Sequence, residues 1–181
     1  MRMNSGSASR VASAQSRKHH FATGLFILFL LCLACSQDSE APFREYDIPL
    51  LSPEALNKEL GIVCNTAVDQ KKPLLVEFSA PWCSDCQKLH QMKQQSVLES
   101  ELANWPKITI NVRSFDAHRD LLDAFEVRQI AHWAVLAPSN CAAPFASWPR
   151  LAQRTLEPSS GAERSQSPAD LANWLLAFRS R

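Results

Sequence analysis

The segment Leu74–Cys86, LLVEFSAPWCSDC, constrains this chain more than any other stretch: an apolar run, a short turn, then two cysteines separated by two residues. Leu74–Ser79 is apolar enough to lie in a buried central strand. Cys83 and Cys86 then open a helix. Two thiols three positions apart can close a small disulfide ring there, and the positive end of the helix dipole favours the thiolate that attacks another sulfur. In such chemistry Cys83 attacks and Cys86 resolves the mixed disulfide. Half of a zinc site and a pair of inert core cysteines are the competing readings. Zinc ordinarily draws on a second close pair, whereas Cys64 and Cys141 stand alone in the sequence.

The chain has 181 residues, enough for one domain and a leader. Its four glycines and single tyrosine argue against an all-β sandwich, whose frequent turns need glycine or asparagine. Residues 1–34 hold four of the 19 lysines and arginines and no acid, so the body carries a charge near −3 beneath an overall +1. No basic stripe with interleaved aromatics marks a nucleic-acid partner.

Residues 1–34 read as a signal peptide. Arg17 and Lys18 precede the apolar run Phe21–Ala34, which is shorter than the roughly 20 residues of a membrane span, and polar SQDSE follows. The end of the run, Cys32-Leu33-Ala34-Cys35, resembles the lipobox of bacterial lipoproteins, with Cys32 where leucine is usual. That resemblance implies lipidation of Cys35 and, with Ser36 following, tethering to the outer membrane. Cleavage after Ala34 without lipid, or an uncleaved short anchor, are the plainer readings. The body is expected in the periplasm. In that oxidising compartment Cys64 and Cys141 either bridge or stay as free buried thiols.

Residues 35–52, with acids and two prolines, read as a tether, leaving 53–181 as the folded domain. Ser52-Pro53 marks a helix start, and Leu56, Leu60, Val63 and Ala67 recur at helical spacing up to Lys71-Lys72. After the strand Leu74–Ser79, a helix is expected from Cys83 to about Gln94, continued by Ser96–Trp105. Then come a strand at Lys107–Val112, a helix at Asp116–Phe125, a strand at Trp133–Leu136, an edge strand at Arg154–Leu156 and a last helix after Ser167-Pro168. SPEALNKEL, KKPLLVEFSAPWCSDCQKL, SVLESEL and ITINVRSFDAHRDLLDAFEV follow one another in an order that resembles the thioredoxin superfamily, and within it the C-terminal domain of the bacterial electron transporter DsbD and related periplasmic proteins. The resemblance implies an α/β thioredoxin fold, a central mixed sheet flanked by helices.

Glu77 interrupts the apolar strand, so its carboxylate is expected to be shielded from water, which raises a carboxyl pKa. The resemblance implies that Glu77 exchanges a proton with Cys86; a solvated, edge-facing glutamate is the plainer reading. Asp85 places a negative charge near Cys83, opposes its thiolate, and so points to a reductant or carrier rather than a strong donor of disulfides. Alignment through Phe125–Arg128 puts Ala131 where the family has a cis-proline. A non-proline cis bond costs about 2.5 to 4 kcal/mol, so Ile130-Ala131 is expected trans and the docking loop displaced. Trp82, Ile130, Ala131 and His132 are the expected substrate-docking residues, with Trp133 either beside them or in the core. His90 and His118 read as solvated.

These features together lead to a membrane-tethered periplasmic thiol-disulfide oxidoreductase. Cys83, Cys86 and Glu77 are its catalytic residues, and its cofactor is nothing beyond the Cys83–Cys86 disulfide itself. Its partners would be cysteines of exported proteins or a membrane electron donor. Two alternatives are a metal-binding or metallochaperone protein using Cys83, Cys86 and His132, and an interaction module that has lost turnover at Ala131.

Overall fold

The computed structural model describes residues 46–158 and 166–179. The expected signal peptide at 1–34, the lipidation at Cys35 and the first part of the tether lie outside the described residues. Helix α1 (Pro53–Gln70) begins where Ser52 accepts the Ala55 N–H on its hydroxyl, with Pro53 in the first turn. It buries Leu56, Leu60, Cys64 and Ala67. It ends at Lys71, whose left-handed backbone (φ 52) turns its N–H back onto the Ala67 and Val68 carbonyls.

Strand β1 (Leu74–Ser79) is buried at every position. It pairs in parallel with β2 (Lys107–Asn111) and antiparallel with β3 (His132–Leu136), which pairs antiparallel with β4 (Arg150–Thr155). The sheet order β2-β1-β3-β4 is mixed, and β1 is central, as its composition demands. Between the strands lie α2 (Ser84–Lys93), α3 (Ser96–Leu102) and α4 (Arg119–Ala124), and α5 (Pro168–Leu176) closes the chain. In α5 the Ser167 and Asp170 side chains each cap the other's backbone N–H.

Alternation along β1 divides the core. Glu77 and its partner on β3, Trp133, face α2 and α5, where Lys93 binds Glu77 and Trp174 lies 6.3 Å from the Trp133 ring. Phe78 faces the other way, onto Phe125 at 5.5 Å and His132 at 6.1 Å. Full burial of a side chain such as Phe78 contributes about 1.5 to 3 kcal/mol.

Several boundaries differ from expectation, three of them through contacts that can be named. The helix expected at Asp116–Phe125 shortens to α4 because Arg113, Phe115 and His118 all take left-handed backbones, and the Asp116 carboxylate turns back to the Arg113 guanidinium and the Ser114 N–H. The edge strand starts earlier, at Arg150, since Leu136 and Val135 reach it through a register shift. The expected tether ends sooner than residue 52: Tyr46 and Ile48 are buried, and Asn111 donates from Nδ2 to the Ile48 carbonyl at 2.7 Å.

Cys64 and Cys141 form a disulfide with a Cα–Cα distance of 5.7 Å, joining α1 to the loop after β3 across 77 residues of chain. Closing so long a loop restricts the unfolded chain, worth roughly 2 to 4 kcal/mol. The double variant Cys64→Ala/Cys141→Ala should lose about that much in urea unfolding under oxidising conditions; a loss below about 0.5 kcal/mol would rule the cross-link out as a stabiliser.

His132 is buried at the start of β3, with Nδ1 3.3 Å from the Thr155 hydroxyl. Burial, helped by the Arg150 charge, pushes its pKa down to about 4. The unfolded imidazole takes its proton near 6.5, so the unfolded state binds more protons between these values and stability falls as pH drops through that window. His132→Gln should therefore lose less urea stability than the wild type between pH 7 and pH 4.5. Parallel losses in the two proteins would contradict the assignment.

Candidate active site

Cys83 is the N-cap of α2. Its backbone is extended (φ −77, ψ 118), and its sulfur accepts the Cys86 N–H at 3.1 Å. The turn Ala80-Pro81-Trp82 delivers it there, with the Cys83 N–H on the Ala80 carbonyl. The sulfur thus occupies the position of an N-cap oxygen, facing free N–H groups and the positive end of the helix. Cys83 and Cys86 form a disulfide with a Cα–Cα distance of 5.2 Å. Cys83 retains 5% exposure and Cys86 none, so only Cys83 offers surface to an incoming sulfur.

Opposite Cys83, the Ile130 carbonyl oxygen stands 3.5 Å from its sulfur, in place to accept from the thiol. The Ile130-Ala131 peptide is cis, against the expectation of a trans bond and a displaced loop. Sheet pairing holds the loop: the Ala131 carbonyl accepts the Leu156 N–H at 2.8 Å and His132 already belongs to β3. Ile130, Ala131 and His132 are all buried as side chains, so what this loop offers a visitor is mainly backbone.

Trp82 is the exposed member of the site, at 58%. Its indole N–H donates to the Arg113 carbonyl at 2.8 Å and its ring lies 6.3 Å from Phe115. A groove of about 310 Å³ runs between Trp82, Asp85, Phe115, Arg128, Ile130 and Thr155. Trp133 is not part of it: the ring is wholly buried and serves the core.

Glu77 is 4% exposed, which excludes the solvated reading. Both carboxylate oxygens are engaged twice. Lys93 Nζ donates to Oε1 and Oε2 at 3.0 and 2.8 Å, Trp133 Nε1 to Oε2 at 3.0 Å, and the Tyr46 hydroxyl to Oε1 at 3.2 Å. Lys93 keeps 21% side-chain exposure, on a cleft of about 540 Å³ between α2, α3 and β2. His90 borders the same cleft with its ring 4.8 Å from that of Tyr46, so it is not simply solvated, and His118 caps α4 through its backbone alone.

No group of three or more His, Cys, Asp or Glu side chains that could hold a metal occurs among the described residues. Cys83, Cys86 and His132 are therefore not brought together as a ligand set. Sequence reasoning missed Lys93, Tyr46 and Phe115. A signal for Tyr46 was present: Tyr46, Ile48 and Leu50 alternate like a half-buried extended segment.

The thioredoxin family profile matches residues 63–143, which hold β1, both site cysteines and the Ile130-Ala131 loop. Among solved structures, a disulphide isomerase from Xylella fastidiosa Temecula1 superposes with a TM-score of 0.53 at 16% identity, covering 73% of this chain and 97% of that one. The C-terminal domain of Neisseria meningitidis DsbD in its reduced form gives 0.54 at 15% identity, covering 72% and 100%. A search of curated proteins found no match. The family profile thus lies on the elements that build the site, and the chain shares the thioredoxin-like fold of both structures.

Proposed function

We propose that this protein is a periplasmic thiol-disulfide oxidoreductase, a reductant or electron carrier held to the outer membrane by lipid on Cys35. The observation that carries the redox reading is the place of Cys83: N-cap of α2, partnered by Cys86, and the one residue of the pair that keeps any exposure. The family match and the fold shared with a disulphide isomerase and a DsbD domain support it. The leader of residues 1–34 supports export.

In the reducing direction the Cys83 thiolate attacks one sulfur of a substrate disulfide. The substrate S–S bond breaks, a Cys83–substrate disulfide forms, and the departing sulfur leaves as a thiolate that takes a proton from water. Cys86 then gives its proton to Glu77 and attacks the Cys83 sulfur, releasing the second substrate thiolate. The substrate gains two electrons, and the Cys83–Cys86 disulfide formed is reduced again by a dithiol electron donor in the membrane. Trp82, Phe115 and the Ile130 carbonyl line the approach, so the substrate segment lies in the groove beside the disulfide. Asp85, in the first turn of α2, repels a thiolate at the cap and favours the oxidised, electron-donating outcome of each turnover.

The exported protein should reduce insulin with a dithiol as electron source, while Cys83→Ser falls to the rate of the dithiol alone. Cys86→Ser should retain the attacking thiol and accumulate a mixed disulfide at Cys83. Insulin reduction by the wild type no faster than by Cys83→Ser would overturn the enzyme assignment.

A further inference from the structure

A neutral carboxylic acid buried in protein must place its O–H on an acceptor. Glu77, if it receives the Cys86 proton, becomes such an acid. Of its three partners, the Lys93 ammonium and the Trp133 indole are donors only. The Tyr46 hydroxyl is the one group that can reverse, accepting from Glu77 instead of donating to it. The means for that reversal is present, because the Tyr46 oxygen also contacts the Ser79 hydroxyl. With the single phenolic proton on Glu77 Oε1, Ser79 donates to Tyr46; when Oε1 holds a proton, the phenolic proton turns onto Ser79 Oγ.

We propose that Tyr46 is a positioning residue for thiol-disulfide exchange: it is the acceptor that lets Glu77 hold the Cys86 proton on Oε1 while Cys86 attacks. This rests on the proton role given to Glu77 above. It makes residues 46–48 part of the redox site instead of a tether. Ile48 supports the same placement from the other side, since its carbonyl accepts from Asn111, whose Oδ1 accepts the Arg113 N–H, whose carbonyl holds the Trp82 indole. Hydrogen bonds therefore run from this short segment both to the buried carboxylate and to the tryptophan next to Cys83. Burial and the Glu77 charge hold the Tyr46 phenol well above the usual phenol range, so it stays a neutral hydroxyl in the working range of pH. The other charged or titratable groups facing Glu77 are Lys93 and His90 from α2, Glu99 from α3 and Lys107 from β2, around the cleft.

The step is read directly by adding an aromatic disulfide, 5,5′-dithiobis(2-nitrobenzoate), to the reduced exported protein. The first aromatic thiolate reports attack by Cys83, and the second reports closure: the Cys83–aryl bond breaks, Cys83–Cys86 forms, and the Cys86 proton leaves. In the wild type, closure should vary little between pH 6 and 8. In Tyr46→Phe, which keeps the ring on His90, closure should slow at least tenfold at pH 6.5 and climb with pH, because Cys86 must then ionise to solvent; the first release should be unchanged. Glu77→Gln should show the same slope. A wild-type profile in Tyr46→Phe beside an altered Glu77→Gln overturns the role of Tyr46 alone, whereas an unaltered Glu77→Gln overturns the proton role on which it rests. Should Tyr46→Phe fail to fold, Ser79→Ala takes its place, with a slowed, pH-dependent closure expected and a wild-type profile overturning the proposal.

Discussion

The contact on which this site depends is the hydrogen bond from the Cys86 N–H to the Cys83 sulfur. A helix start leaves several N–H groups without intrahelical partners, and an oxygen side chain usually answers one of them. Here a sulfur takes that place, so the group that caps α2 is also the group to which the proposed function gives the attack. The pairing holds the two cysteines together at the helix start, where the first keeps slight exposure and the second none. It also sets two electrostatic influences against each other: the helix terminus favours negative charge on Cys83, and Asp85 opposes it.

Beneath the cap, β1 carries a carboxylate into an otherwise apolar layer. An isolated buried charge is costly, and Glu77 is tolerable because an ammonium, an indole and a phenol from three other parts of the chain converge on it. That convergence ties α2, β3 and the segment before α1 to the strand that leads into the active turn. One residue thus gathers three distant parts of the chain beneath the strand that leads to Cys83.

Much of this was legible from local pattern. The β1–turn–α2 unit, the Ser-Pro starts of α1 and α5 and the burial of Glu77 all follow from side-chain period and capping chemistry, which neighbours in sequence decide. What could not be read depended on distant partners. Lys93 reaches Glu77 across 16 residues and Tyr46 across 31, and no short-range pattern reports either. The Cys64–Cys141 cross-link needed the relative placement of α1 and the loop after β3. Ile130-Ala131 was judged by the intrinsic cost of its peptide bond, whereas the pairing of β3 and the Leu156 bond to the Ala131 carbonyl set the loop's conformation. The loop before α4 escaped because Arg113, Phe115 and His118 take left-handed backbones there without glycine.

The proposed activity is reversible exchange at Cys83 and Cys86, with a preference for giving electrons. The direct measurement equilibrates the protein in dithiol buffers of graded potential, traps thiols by alkylation and weighs the peptides. The peptide holding Cys83 and Cys86 should pass from oxidised to reduced in one two-electron transition below about −200 mV, with Cys64–Cys141 still closed at that midpoint. A midpoint near the roughly −120 mV of a strong oxidant would contradict the direction, and a pair that never changes state would contradict the function.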